Sequence, residues 1–236
     1  MIEKVSTGCK VLDKLLSGGF EKDIISTIFG PAGTGKSNIA MLISLRVAAQ
    51  GKKVVFVDTE GGFSTERIEQ MAPSDHKALL KNIILLNPTS FEEQKKYFEQ
   101  LAELVDAKKI GLIVVDSIAM LYRLQKGSTE EIAVTNQEMA AQLSILSKIA
   151  RRKHIAIVAT NQVYSDFGNP NSFHMVGGDL LKYWSKCIIK LEKVDGIRKA
   201  SIYKHRNLPD TASVFFEITQ HGLEEAKEPK KKFSLF

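Results

Sequence analysis

Residues Gly30-Pro31-Ala32-Gly33-Thr34-Gly35-Lys36-Ser37 fit the pattern G-x-x-x-x-G-K-[ST]. An apolar run at 24–29 precedes them and a helical pattern at 36–50 follows. A buried strand that enters a Gly-rich turn and leaves as a helix commits the chain to an α/β architecture. The same turn carries chemistry. Glycines let successive backbone N–H groups point inward at phosphate oxygens, and the helix that follows presents its positive end to the same anion. In such a loop Lys36 reaches the β- and γ-phosphates and the Ser37 hydroxyl ligates Mg²⁺.

The rest of the chain keeps that rhythm. Short branched runs at 54–58, 83–86, 112–116 and 155–160 read, like 24–29, as buried strands. Between them, 91–106 and 129–153 repeat apolar residues at helical spacing, and Gly51 offers a stop for the helix at 36–50. This alternation predicts a largely parallel sheet flanked by helices. The last third differs, because 187–193, 199–205 and 213–219 are strand-like with no long helix between them. They are expected to be antiparallel additions, with Asp195-Gly196 as a hairpin turn. One core domain over 1–225 and a basic, flexible tail over 226–236 are the expected divisions.

Two carboxylates suit the phosphate loop. Asp116 closes the run Leu112-Ile113-Val114-Val115-Asp116, where it can hold Mg²⁺ through water. Glu60, in Asp58-Thr59-Glu60-Gly61, can accept a proton from an attacking water.

Composition narrows the setting. The hydrophobic share of 44% and the charged share of 25% are those of a folded protein and exclude a disordered or collagenous chain. No run is long and apolar enough to cross a bilayer, and the first ten residues lack a signal core, so a cytoplasmic location is expected. Two cysteines, Cys9 and Cys187, make no disulfide framework. The formal net charge of +6 leans toward an anionic partner, although part of it sits in Lys227, Lys230, Lys231 and Lys232.

Several short motifs fall in one register: Ser6-Thr7-Gly8 with Leu12-Asp13, Asp58-Thr59-Glu60-Gly61 with Glu66-Arg67-Ile68, Asp116-Ser117, Thr160-Asn161-Gln162-Val163 and Gly177-Gly178. In that order they resemble the RecA family of recombinases, specifically the archaeal RadA type, over nearly the whole chain. The resemblance implies a RecA-like P-loop NTPase core that binds ATP and Mg²⁺. By resemblance, Glu60 orients the hydrolytic water, Gln162 senses the γ-phosphate, Arg67 stacks on adenine, and Pro209 belongs to a cap placed over the nucleotide of a neighbouring subunit. Because the sequence begins at the core, the family's helix-hairpin-helix domain and its phenylalanine-bearing linker strand are not expected, and a dimer is expected before a filament.

Two further departures shape the reading. The cap reads Lys204-His205-Arg206, where the family tends to carry an acidic residue and a proline. Lys204 or Arg206 is expected to sense nucleotide across a subunit interface, Arg206 as an arginine finger. The first DNA loop supplies Arg123 and Lys126, whereas the second, 164–176, has no Lys or Arg and offers Tyr164, Phe167, Phe173 and His174 for stacking on bases. The expected function is that of a weakly hydrolysing, DNA-binding paralogue that regulates homologous recombination and repair. Implied partners are single-stranded or branched DNA, RadA recombinase and a Holliday-junction resolvase, with no membrane. Alternatives are an active strand-exchange recombinase, a KaiC-like ATPase or signalling protein without DNA, and an adaptor that binds nucleotide without turnover.

Overall fold

The computed structural model describes residues 2–107, 109–125, 127–166 and 169–229. The expected DNA contacts Lys126 and Phe167, and the tail from 230 onward, lie outside them. The chain opens with β1 (Lys4–Val5), α1 (Lys10–Leu15) and β2 (Phe20–Glu21). It then runs through β3 (Ile25–Phe29), α2 (Lys36–Ala48), β4 (Lys53–Asp58), α3 (Thr65–Met71), α4 (His76–Leu80), β5 (Ile83–Leu86), α5 (Phe91–Ala107) and β6 (Ile110–Asp116). After α6 (Met120–Arg123) and α7 (Thr129–Lys153) come β7 (Ala156–Asn161), β8 (Val163–Asp166), β9 (Asn169–Met175) and α8 (Gly178–Trp184). Four strands follow: β10 (Ser185–Val194), β11 (Ile197–His205), β12 (Ser213–Thr219) and β13 (Gly222–Glu225).

One sheet of nine strands runs β13-β12-β11-β10-β3-β7-β6-β4-β5. It is parallel from β10 to β5 and antiparallel from β10 to β13. Burial on both faces explains the unbroken apolar runs in the central strands. Side chains alternate across the sheet, so Val54, Phe56, Leu112, Val114 and Val158 join one core with α1 and α2. Val55, Val57, Ile113, Val115 and Ile157 join a second core with α5 and α7. Each fully buried side chain of this size contributes about 1.5–3 kcal/mol.

The run 83–86 does not fold as a buried strand. β5 is the sheet's last strand, and its residues are partly exposed, Leu85 to 40%. Among the described residues no strand lies beyond it. α7 has its expected bounds, fixed by a capping box in which Ser128 and Glu131 each accept the other's backbone N–H. His154 ends it in the left-handed conformation. The Asp195-Gly196 turn joins β10 to β11 with φ of 47° and 86°, the signature of a type I′ hairpin. Both cysteines are free and buried, and burial pushes the Cys187 thiol up to about 12. No helix of the described residues is long and apolar enough to cross a membrane.

Candidate functional site

The phosphate loop leaves the carboxyl end of β3 and enters α2 through Gly35, whose φ of 103° suits glycine. A Cβ on Gly35 would meet the Ile218 side chain at 3.0 Å. Gly30 is packed harder still, since a Cβ there would lie 2.3 Å from the Leu191 carbonyl oxygen on β10. Thr34 is buried and donates its hydroxyl to the Pro31 carbonyl at 2.8 Å, closing the turn from within. The close packing of both glycines and the Thr34 bond leave the loop little room to change shape.

Lys36 donates its ammonium to the Gly30 and Pro31 carbonyls at 2.8 and 3.0 Å. Burial pulls this ammonium below the usual lysine range, and the Asp116 and Glu60 carboxylates work in the opposite direction. Asp116, 3% exposed at the end of β6, accepts hydrogen bonds from Thr160 and Ser37. Burial nevertheless pushes its carboxyl up. Ser37 and Asp116 are hard oxygen donors of the kind magnesium takes, and a divalent cation would stabilise Asp116 as the anion. The residues present therefore fit a nucleotide phosphate with its magnesium.

Lys36, Ser37, Glu60, Asp116 and Gln162 line one cavity of about 260 Å³ with the phosphate loop. Glu60 owes its place to Asp58, a motif residue to which the sequence assigned no role of its own. Asp58 is 5% exposed, and its carboxylate accepts the backbone N–H groups of Glu60 and Gly62 at 3.1 Å and of Phe63 at 2.9 Å. A buried acid two residues ahead of an exposed one, at the close of an apolar strand, was the available signal.

Gln162 follows β7 and links the cavity to the expected DNA loops. Its side-chain oxygen accepts from Arg123 Nη1 at 3.2 Å, and its carbonyl accepts from the Val176 N–H at 3.2 Å. The segment 164–176 contains a two-stranded hairpin, β8 with β9. Tyr164 lies opposite His174, their rings 5.7 Å apart, while Phe173 sits opposite Ser165. Neighbours along a strand point to opposite faces. Tyr164 and His174 therefore form one aromatic pair, and Phe173 belongs to the other face. Tyr164 and Phe173 are 51% and 39% exposed.

Arg67, Lys204, Arg206 and Pro209 do not line this cavity. Arg67 donates to Asn38 and Gln70 and to the carbonyls of Thr219 and Gln220 at 2.7–3.0 Å, which ties α3 to the β12–β13 turn. Hydrogen bonds to a guanidinium lie in its plane. Lys204 pairs with Ile188, which pairs with Thr27, whereas Phe29 nearer the phosphate loop pairs with Lys190. β11 thus ends away from its own phosphate loop. Lys204 donates to the Lys182 carbonyl, and burial pulls its ammonium down. Arg206 Nε donates to buried Glu21 at 2.6 Å within the same chain.

His205 lies between these cations. Its Nδ1 accepts the N–H groups of Asn207 and Leu208 at 3.0 and 3.2 Å, and Nε2 faces Glu21 at 3.8 Å. Burial pulls the imidazole below its usual 6.5. The folded state then takes up a proton less readily than the unfolded chain. Its stabilising contribution is complete above pH 6.5 and is lost as pH falls through the lowered value. The difference in melting temperature between wild type and His205→Asn should shrink between pH 7.5 and pH 5.5. A difference independent of pH would exclude the imidazole as its source.

Comparison with known proteins matches residues 1–226 to the Rad51 family model. "DNA repair and recombination protein RadB" of Methanococcus maripaludis strain C5 is 45% identical over 215 residues, covering 91% of this chain and 97% of that protein. RadB of Methanobrevibacter smithii is 43% identical over 219 residues, covering 90% and 92%. A crystal structure of the RadB recombinase superposes with a TM-score of 0.80 at 36% identity, covering 94% of this chain and all of that one.

Proposed function

Since the chain belongs to the Rad51 family, we propose that it is an ATP-binding, weakly hydrolysing and DNA-binding RadB-type paralogue that regulates homologous recombination. Its RadB relatives are named for DNA repair and recombination. The observation that carries the reading is the convergence of Lys36, Ser37, Glu60, Asp116 and Gln162 on one cavity, with Gln162 bonded to Arg123.

Lys36 and the loop N–H groups hold the β- and γ-phosphates. Ser37 and Asp116 hold magnesium, which when bound neutralises phosphate charge. Glu60 orients the attacking water and takes its proton, and Gln162 reports the γ-phosphate. Because Gln162 also bonds Arg123, a change at the phosphate is passed to the α6 end and to the β8–β9 hairpin. There Arg123, Tyr164, Phe173 and His174 meet DNA, by stacking more than by phosphate contacts. Arg67 stacks on adenine. Lys204, Arg206 and Pro209 act on the nucleotide of a second copy, which makes a dimer the smallest complete assembly. Arg206 must first leave the buried Glu21 carboxylate, and this keeps turnover slow. The setting is the cytoplasm, with single-stranded or branched DNA, RadA recombinase and a Holliday-junction resolvase as partners.

The test measures mass in solution and DNA affinity without nucleotide, with ADP and with a non-hydrolysable ATP analogue. The analogue should raise the mass toward a dimer and change DNA affinity, and Arg206→Ala should abolish the mass change. Insensitivity of both mass and affinity to nucleotide in wild type would sink the regulatory reading. DNA-independent rings would favour the KaiC-like alternative.

A further inference from the structure

Glu60, Asp116 and Gln162 leave the sheet at the ends of three neighbouring strands, β4, β6 and β7. Between β7 and β6 the Thr160 hydroxyl bonds the Asp116 carboxylate. Between β6 and β4 the regular pairing ends where Asp58 stands opposite Asp116. Beyond that pair the two chains part, β4 into the Glu60 turn and β6 toward α6. Hydrolysis needs the acid on one exit held in step with the acid on the other.

Thr59 spans the gap. Its backbone N–H donates to the Asp116 carbonyl at 2.8 Å. Its hydroxyl donates to the Ser117 carbonyl at 2.8 Å and accepts the Ser117 N–H at 2.9 Å. A hydroxyl has one proton to give and two lone pairs to offer, so one side chain can satisfy both backbone groups of another residue. Ser117 is buried, and its own hydroxyl has no hydrogen-bond partner. Among the described residues, every hydrogen bond between 59–63 and 116–119 is made by Thr59.

The residue type suits the task. Branching at Cβ leaves threonine few rotamers, so the hydroxyl is aimed before nucleotide arrives. The tie also works against a charge. Burial does most to push the Asp116 carboxyl up, and the Glu60 and Asp58 carboxylates add to it. Neighbouring acids repel, and Glu60, exposed on its turn, has the room to move away. The Asp58 carboxylate shapes that turn from within, whereas Thr59 fixes it to β6.

We propose that the Thr59 hydroxyl is a positioning group for hydrolysis: by bonding Ser117 it sets Glu60, which takes the proton of the attacking water, at its distance from Asp116, which holds magnesium. The inference rests on the ATPase reading above and adds a residue that does not line the cavity. Its effect belongs to the rate and not to binding, because the phosphate loop and both magnesium ligands are left in place.

Single-turnover hydrolysis, calorimetric titration of ADP and ATP, and melting temperature together test it. Thr59→Val keeps the shape and removes the hydroxyl. Its hydrolysis should fall by roughly ten- to a hundredfold, while ADP and ATP affinity and the magnesium requirement for binding stay those of wild type. Thr59→Ser keeps the hydroxyl without the methyl and should recover most of the rate. Should Thr59→Val fail to fold, Thr59→Ala supplies the hydroxyl-free measurement. Wild-type hydrolysis in a hydroxyl-free variant, whatever its melting temperature, would overturn the inference. So would a Thr59→Ser protein as slow as Thr59→Val, or a loss of nucleotide affinity in place of rate. Each of these outcomes leaves the ATPase reading standing. That reading fails by a different route, through wild-type protein that does not hydrolyse ATP or Glu60→Gln protein that hydrolyses it as wild type does, and the role of Thr59 would fall with it.

Discussion

Lys36→Ala should lose detectable ATP hydrolysis, a fall of at least about 10²–10³, while the fold survives. The half-buried ammonium sits between two loop carbonyls and two carboxylates, poised to exchange the carbonyls for phosphate oxygens. In a low-dielectric cleft a positive charge so placed is worth far more than in water. Truncation removes it and supplies nothing in its place. The cost to stability is smaller. The Gly30 and Pro31 carbonyls lose one donor each, about 1–2 kcal/mol in all where water replaces it. Single-turnover hydrolysis with calorimetric titration of ADP and ATP reads both effects. A variant that hydrolyses within threefold of wild type would remove Lys36 from the chemistry.

The features legible beforehand are those set by short stretches of chain. The phosphate loop, the limits of α7 and the Asp195-Gly196 turn each depend on a few adjacent residues, and each folds as read. What escaped depends on partners far along the chain. Asn169, Pro170 and Asn171 read as loop, yet 169–175 pair as β9 because β8 lies beside them. The run 83–86 has the composition of a buried strand, and only its place at the sheet's edge exposes it. Arg67 is singled out in the sequence only by resemblance, and its bonds to Thr219 and Gln220 cross about 150 residues of sequence. Arg206 is free of any partner in the local sequence, and its carboxylate, Glu21, lies 185 residues earlier.

Asp58→Ala tests how Glu60, the acid proposed to activate water, is held. The Asp58 carboxylate satisfies three backbone donors in the turn from Glu60 to Phe63, and the side chain is 5% exposed. Alanine leaves these three donors without their acceptor, and the exposure of Glu60 and Gly62 lets water replace part of it. At about 1–3 kcal/mol for each group stranded in this way, and allowing for relaxation, a loss near 3 kcal/mol is expected. For a chain of this size that lowers the melting temperature by roughly 6–12 °C. Hydrolysis should fall as well, because Glu60 is exposed and the Asp58 bonds fix the backbone that carries it. Glu60→Gln separates the two effects: it should reduce hydrolysis by about 10² or more and leave the melting temperature near that of wild type. Nucleotide affinity should persist in both variants, since neither residue forms the phosphate loop. If Asp58→Ala melted like wild type, the turn would be held by something other than its carboxylate. If it melted lower but hydrolysed normally, Glu60 would not need that turn, and its role as the base would fall.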